Sequence, residues 1–272
     1  MAFGIDHLTL GHFSPPDFAR MAGEAGAATI SLFLHPNPSV GGDPANSPLE
    51  HLSVRRAAID AVRAAGVKVA VAEGCRIAPD FSLDEQKRRM ETAVDLGAPR
   101  LNVLITDPEQ ARADENFALF AAEAAKAGLE LLIEFTPLTE VHDLVAADGW
   151  ARRHGCGIMF DTLHYERTGG TLDQLAAYVR DRPGMIGYVQ VCDGPAGRYG
   201  DFKAYAREAV RHRFLPGAGA IPLREILSIL PADLITSAET PNAGVYKGEV
   251  APDAHLAATA IAMRALLEAS GR

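Results

Sequence analysis

Four side chains stand where the surrounding residues are apolar and a polar group is costly to bury: Glu134 in LLIEF, Asp161 in GIMFD, Gln190 in GYVQV and Glu239 in TSAET. A carboxylate taken out of water must be hydrogen-bonded, paired with a cation or bound to a metal. Any one of these residues alone could cap a helix or anchor a loop. If all four meet, however, three carboxylates repel one another unless a cation sits among them. Three carboxylates and an amide offer only oxygen, which favours Mg²⁺ or Mn²⁺ over a zinc centre built from Cys and His, with Co²⁺ and Zn²⁺ as further candidates. A divalent ion chelated by neighbouring carbonyl and hydroxyl oxygens would stabilise an enediolate while a carboxylate takes the adjacent carbon-bound proton.

Such a set needs a scaffold that carries distant segments to one place. Short apolar or β-branched runs recur eight times, at 4–12, 27–35, 67–74, 99–106, 129–135, 157–164, 185–193 and 234–240, and alternate with Ala-rich amphipathic segments. This alternation is the mark of βαβ units. Ser82 followed by Glu85 reads as a capping box, Thr171 opens another helical run, and a helix over 251–270 closes the series. Gly26, Gly66, Gly97 and Gly128 each end a helical run directly before a strand, as a residue with positive φ would. Eight such units in 272 residues predict a single-domain (β/α)₈ TIM barrel. A doubly wound open sheet fits less well, because no GxGxxG or P-loop follows the first strand. In a barrel all four polar strand ends rise on the C-terminal face.

The same residues give the chain a family likeness. Glu134, the DTLH segment from Asp161 to His164, VQVCD around Gln190, RFLPGAG from Arg213 to Gly219 and AETPN at Glu239 resemble the xylose isomerase-like TIM-barrel superfamily of sugar isomerases and epimerases, over essentially the whole chain. The resemblance implies a divalent metal held by Glu134, Asp161, Gln190 and Glu239, with Glu134 and Glu239 as an acid/base pair working from opposite faces. It further implies that His164 binds a substrate oxygen and that Arg213 reaches the metal-site carboxylates or the substrate. Gln at the third metal position is the pattern of the hydroxypyruvate isomerase branch, although Tyr188 stands where that branch carries His and the loop reads PGAGA. Dimers or tetramers are frequent among such relatives, which implies a homo-oligomer here.

Further polar residues flank the expected mouth. His35 and Glu73, at the ends of the second and third strands, are placed to touch substrate, Glu73 having an ion pair with Arg76 as its plainer role. His7 on the first strand reads as a core histidine. The segment 198–213 interleaves five basic residues with three aromatics at helical spacing and reads as a lid or partner contact.

Composition narrows the partners. With 26 Lys and Arg against 35 Asp and Glu, the net charge of −9 disfavours nucleic acid. No apolar stretch approaches a membrane span, and the N-terminal residues lack signal-peptide character. Cys75, Cys156 and Cys192 are odd in number and widely spaced, which suits a reducing cytoplasm. The expected function is therefore a cytoplasmic, metal-dependent isomerase or epimerase of a small sugar, ketose or sugar acid. Its rival is a dehydratase of an inosose- or dehydroshikimate-like polyol-ketone, in which the same enolate expels a hydroxyl. Cleavage of damaged DNA and a binding protein without turnover are weaker alternatives.

Overall fold

The computed structural model describes residues 2–272. Eight parallel strands close into a barrel in sequence order, β1 (Gly4–Ile5), β2 (Thr29–Phe33), β3 (Lys68–Ile77), β4 (Arg100–Ile105), β5 (Glu130–Glu134), β6 (Gly157–Asp161), β7 (Ile186–Val191) and β8 (Thr236–Ala238), with β8 returning to β1. Helices α1 (Pro15–Glu24), α2 (Leu52–Ala65), α3 (Leu83–Asp95), α4 (Gln110–Lys126), α5 (Leu144–His154), α6 (Thr162–Arg167), α7 (Leu172–Asp181), α8 (Phe202–Arg211), α9 (Leu223–Ile229), α10 (Ala243–Tyr246) and α11 (Pro252–Ala269) intervene between the strands or follow them. This is a (β/α)₈ TIM barrel. No helix among the described residues is long and apolar enough to cross a membrane.

Side chains alternate across each strand, and here the alternation separates two kinds of interior. Outward residues such as Ile133, Ile158, Phe160, Val189 and Val191 join one large apolar layer with the helices. The lumen holds a much smaller apolar cluster of Ala70, Val71, Leu132, Met159 and Tyr188. Two residues beyond Leu132, Met159 and Tyr188 on the same strands lie Glu134, Asp161 and Gln190, so the period of two that places the former in the lumen places the latter at its mouth. Gly4 is required by close packing, since a Cβ there would fall 2.6 Å from Ser237 Oγ and 2.7 Å from Thr29 Oγ1.

The observed ends differ from several expected ones. The first strand stops at Ile5 and turns into a 3₁₀ segment over His7–Leu10, closed by Thr9 N–H donating to the Asp6 carbonyl at 3.0 Å. β6 stops at Asp161 rather than 164 because that carboxylate caps α6: Oδ1 accepts from Leu163 N at 2.7 Å and from His164 N at 3.1 Å. The third strand runs on to Ile77. At Thr171 the full capping box forms with Gln174, whereas Ser82 only accepts from Glu85 N and the Glu85 side chain pairs with Arg88 and Arg89 instead. Gly26, Gly66, Gly97 and Gly128 all have positive φ.

Candidate metal and acid/base site

Register brings the polar strand ends together. Asp161 pairs with Gln190 across β6 and β7, and Glu239, one residue past β8, extends the ladder by donating its N–H to the Val191 carbonyl at 2.9 Å. Glu134 pairs with Met159 one strand over. His164 occupies the first turn of α6, and the Asp161 cap that starts this helix turns the imidazole over the mouth. Glu134, Asp161 and His164 place one ligand atom each within 4.8 Å of one another. His164 Nε2 is 3.3 Å from Glu134 Oε1 and 3.8 Å from Asp161 Oδ2.

The other half of the site is organised by Arg213, whose side chain is 2 % exposed. Nη1 lies 2.5 Å from Asp161 Oδ2, Nη2 lies 2.8 Å from Glu239 Oε2, and Nε donates to the Ala209 carbonyl at 2.7 Å. Glu239 Oε1 accepts from Gln190 Nε2 at 2.9 Å, so both oxygens of Glu239 are engaged. Burial alone would raise the Asp161 carboxyl, but the charges of Arg213 and His164 outweigh it and hold that group below the usual carboxylate range. For Glu239, burial prevails over Arg213, helped by the charges of Asp161, Glu73 and Asp6, and the carboxyl is pushed well up.

Below the mouth lies a polar layer that the strand-end criterion overlooked. Asp6 is fully buried and accepts from Tyr188 OH at 2.6 Å and Ser237 Oγ at 2.6 Å through Oδ1, and from Gln190 Nε2 at 3.1 Å through Oδ2. Burial raises its pKa to about 6 against the pull of these donors. Asn102 Nδ2 donates to Glu134 Oε2 at 2.6 Å. Asp6 and Asn102 also interrupt apolar runs, in FGIDHL and RLNVLI, so the signal that marks Glu134 was available for both.

Of the flanking residues, Glu73 does enter the lumen, but it forms no ion pair with Arg76 and accepts a short hydrogen bond from Ser31 Oγ. Burial and the charge of Asp6 push its pKa well up. The third strand continues past Glu73 and turns Arg76 to the other side, where it reaches solvent. His35 is half-buried, and its ring meets Ser47 in the long loop after β2 rather than any residue of the cluster. His7 is a core residue stacked on Phe18 at 4.6 Å, with Phe33 N–H donating to Nδ1 at 3.2 Å. Helix α8, from the aromatic and basic segment, crosses the mouth: Tyr205 OH is 2.8 Å from both His164 Nδ1 and Thr136 Oγ1, and Arg211 donates to the Ser39 carbonyl beyond β2.

The donor set fits a hard cation on two counts. Five lumen or mouth carboxylates, Asp6, Glu73, Glu134, Asp161 and Glu239, face one guanidinium. Gln190 Oε1 is also buried with no donor, because both amide hydrogens are directed at Asp6 and Glu239. A buried carbonyl oxygen left bare beside carboxylates is the geometry of an incomplete oxygen site.

The family model for xylose isomerase-like TIM barrels matches residues 19–266, and the chain belongs to that family. No curated protein sequence matches it. Among solved structures, a xylose isomerase-like TIM barrel/4-hydroxyphenylpyruvate dioxygenase fusion protein superposes with a TM-score of 0.78 at 20 % identity; the match covers 99 % of this chain and 43 % of the fusion protein. The probable 3-DHS dehydratase AsbF of Bacillus anthracis gives 0.73 at 13 % identity, over 97 % of this chain and 99 % of that one. D-allulose 3-epimerase from Methylomonas sp. gives 0.65 at 14 % identity, over 98 % and 100 %. At these identities the likeness is one of fold.

Proposed function

We propose that the chain is a divalent-metal-dependent dehydratase that removes water from a small polyhydroxy carbonyl compound by taking the proton next to its carbonyl. The observation that carries this reading is the asymmetry of the mouth. Both oxygens of Glu239 are engaged by Gln190 and Arg213, while His164 Nε2 faces the cluster 3.3 Å from Glu134 Oε1. One acid/base centre is enough for elimination, as it is for proton transfer between adjacent carbons of an enediolate, whereas epimerisation needs a second on the opposite face.

Glu134, Asp161, Gln190 through its bare carbonyl oxygen, and Glu239 would hold the cation, which when bound polarises the substrate carbonyl and acidifies the neighbouring C–H. The Nε2 lone pair of His164 cannot both ligate and accept a proton, and we assign it the proton. Tyr205 at Nδ1, itself 2.8 Å from Thr136 Oγ1, fixes the ring with Nε2 facing the mouth. His164 takes the proton from carbon and returns it to the departing β-hydroxyl. The C–H electrons become the new C=C bond, the C–O bond breaks, and water leaves with no other reactant consumed. Helix α8 shields this exchange from solvent. Arg213 keeps Asp161 ionised and can donate to an anionic or hydroxyl oxygen of the substrate.

One observation favours a second reading, isomerisation or epimerisation of a ketose or sugar acid: Glu134 and Glu239 follow strands three apart around the barrel, so a Glu239 released from Arg213 would address the substrate from another side. Protein stripped with a chelator and reloaded with Mn²⁺, Mg²⁺ or Co²⁺, then incubated in D₂O with cyclic polyol-ketones, ketoses and sugar acids, separates the two. Cation-dependent water loss with appearance of a conjugated product is expected. Deuterated isomers without water loss would transfer the function to the second reading, and neither product from any substrate class would refute both. His164→Ala should abolish turnover and keep the cation; loss of the cation as well would make His164 a ligand.

A further inference from the structure

We infer that Asp6 is a positioning residue: it fixes the amide of Gln190 so that the carbonyl oxygen, and not the NH₂ group, faces the cation site. The inference rests on the metal-site reading above, and it concerns a residue two layers of side chains from the chemistry.

A glutamine amide has two ends of similar size and opposite hydrogen-bonding character, so a glutamine placed to ligate a cation is useful only if something prevents it from turning over. Gln190 Nε2 donates to Asp6 Oδ2 at 3.1 Å and to Glu239 Oε1 at 2.9 Å. Glu239 is itself one of the residues that would hold the cation, so its grip on Nε2 changes when the site fills, whereas Asp6 lies outside the ligand set. Asp6 is held independently of the mouth: Tyr188 OH and Ser237 Oγ, on β7 and β8, both donate to Oδ1 at 2.6 Å, and Asp6 N–H donates to the Ala238 carbonyl at 2.8 Å. Its second oxygen is thereby pointed at Gln190. The bare Gln190 Oε1 is what remains once Asp6 has claimed the other end of the amide. Tyr188 gains a reason as well. Its ring fills the apolar centre of the lumen while its hydroxyl meets Asp6, which couples barrel packing to the orientation of one amide.

Substituting Asp6→Asn tests this without a change of shape. Because Tyr188 and Ser237 both donate, the Asn oxygen must stay with them, and its NH₂ then opposes Gln190 Nε2, donor against donor. The glutamine turns over and points N–H groups at the cation. Adding Gln190→Glu removes the clash with the Asn NH₂, because a carboxylate accepts from it with one oxygen and presents the other to the cation, at the cost of the bond that Nε2 gave Glu239 Oε1. The double variant keeps the net charge of the wild type and moves it one residue closer to the metal.

Mn²⁺ binding to the chelator-stripped protein is measured by titration calorimetry, with melting of the metal-free form as the control for folding. Outer partners of metal ligands typically contribute 10–100-fold in affinity, so Asp6→Asn should weaken Mn²⁺ by at least about 10-fold and the double variant should return to within about 3-fold of wild type. Equal affinity for Asp6→Asn overturns the inference, and so does a folded double variant that fails to recover, or a Gln190→Glu single variant whose affinity Asp6→Asn lowers as much as it lowers that of the wild type, because a carboxylate has no wrong end for Asp6 to prevent. If Asp6→Asn does not fold, Tyr188→Phe gives the same reading from the other side: it removes the donor that aims Asp6 and should weaken Mn²⁺ about 3-fold, an unchanged affinity counting against the inference. Wild-type protein that binds no divalent cation would defeat the metal-site reading itself, and this inference with it.

Discussion

Arg213→Met gives the sharpest test of how the mouth is held together in the absence of a cation. Methionine keeps the length of the stem and removes only the charge and its donors. Arg213 is 2 % exposed, Asp161 0 % and Glu239 3 %, so the substitution leaves two carboxylates out of water with neither a counter-charge nor the two short contacts of 2.5 and 2.8 Å. Breaking a buried pair by removing one partner costs about 3–5 kcal/mol. For a chain of this size each kcal/mol lowers Tm by about 2–4 °C, which places the variant about 6–20 °C below wild type when both are melted in chelator at neutral pH. The exposed Arg20 and Glu24 pair, 2.9 Å apart on α1 with both side chains more than half exposed, is the internal control: Arg20→Met should move Tm by only about 1–2 °C. Added Mn²⁺ replaces the missing positive charge in the Arg213 variant and stabilises it by about 2.7 kcal/mol at a concentration 100 times Kd. Differential scanning calorimetry reads all three quantities. An Arg213→Met protein that melts within about 3 °C of wild type in chelator would refute the assignment of Arg213 as the compensating cation of a buried triad.

Burial lowers the His7 ring from an ordinary 6.5 to about 4, so between those values the unfolded chain carries a proton that the folded chain refuses. The stability due to a neutral His7 is complete above pH 6.5 and falls by about 3 kcal/mol as pH drops to 4; an NMR titration of the ring should give a midpoint near 4, and one at 6 or above contradicts the packing described. Cys75, Cys156 and Cys192 are all buried, and desolvation pushes the first two thiols to about 12 and the third further in the same direction. None should react with a disulfide reagent at pH 8 until the protein is unfolded, when all three appear; fast labelling of the native chain would show a breathing motion that the close packing argues against.

The barrel was legible because its units repeat, and the mouth was legible wherever a charge broke an apolar run at the end of a strand. Glu134, Asp161, Gln190 and Glu239 satisfy that criterion, and the structure does bring Asp161, Gln190 and Glu239 onto neighbouring positions of three adjoining strands. Asp6 satisfies it equally. The apolar run that continues to residue 12 makes Asp6 read as a mid-strand residue, whereas the ladder ends at Ile5 and Asp6 follows it directly, buried just below the mouth. Ser31 and Ser237 carry no signal, since a serine in a strand is unremarkable until its neighbour across the lumen is a carboxylate. Arg213 has no local pattern at all. Its place follows from the long connection after β7, which returns through the Asp193 and Phe214 bridge and lays Arg213 across Asp161 and Glu239, and only the family likeness of RFLPGAG anticipated it.

That so polar a lumen is compatible with a folded chain has a physical cause in the strand alternation. A TIM barrel usually fills its interior with layers of branched apolar side chains. Here that role contracts to Ala70, Val71, Leu132, Met159 and Tyr188, and the apolar burial that stabilises the fold lies mainly between the sheet and the helices, where the outward residues of the strands meet Phe117, Phe120, Trp150 and Leu256. The two faces of each strand therefore answer to different demands. A change from Ile133 to a smaller residue opens a void in the layer that holds the molecule together, while Glu134, its neighbour in sequence, accepts from Asn102 beside His164 in a network whose cost is electrostatic. Because the inward face carries little of the packing, it can keep five carboxylates close to one another, a configuration that burial and mutual repulsion oppose and that only Arg213, bound protons or a divalent cation can offset. The pressure toward cation binding is thus built into the same alternation that leaves the outer layer free to stabilise the barrel.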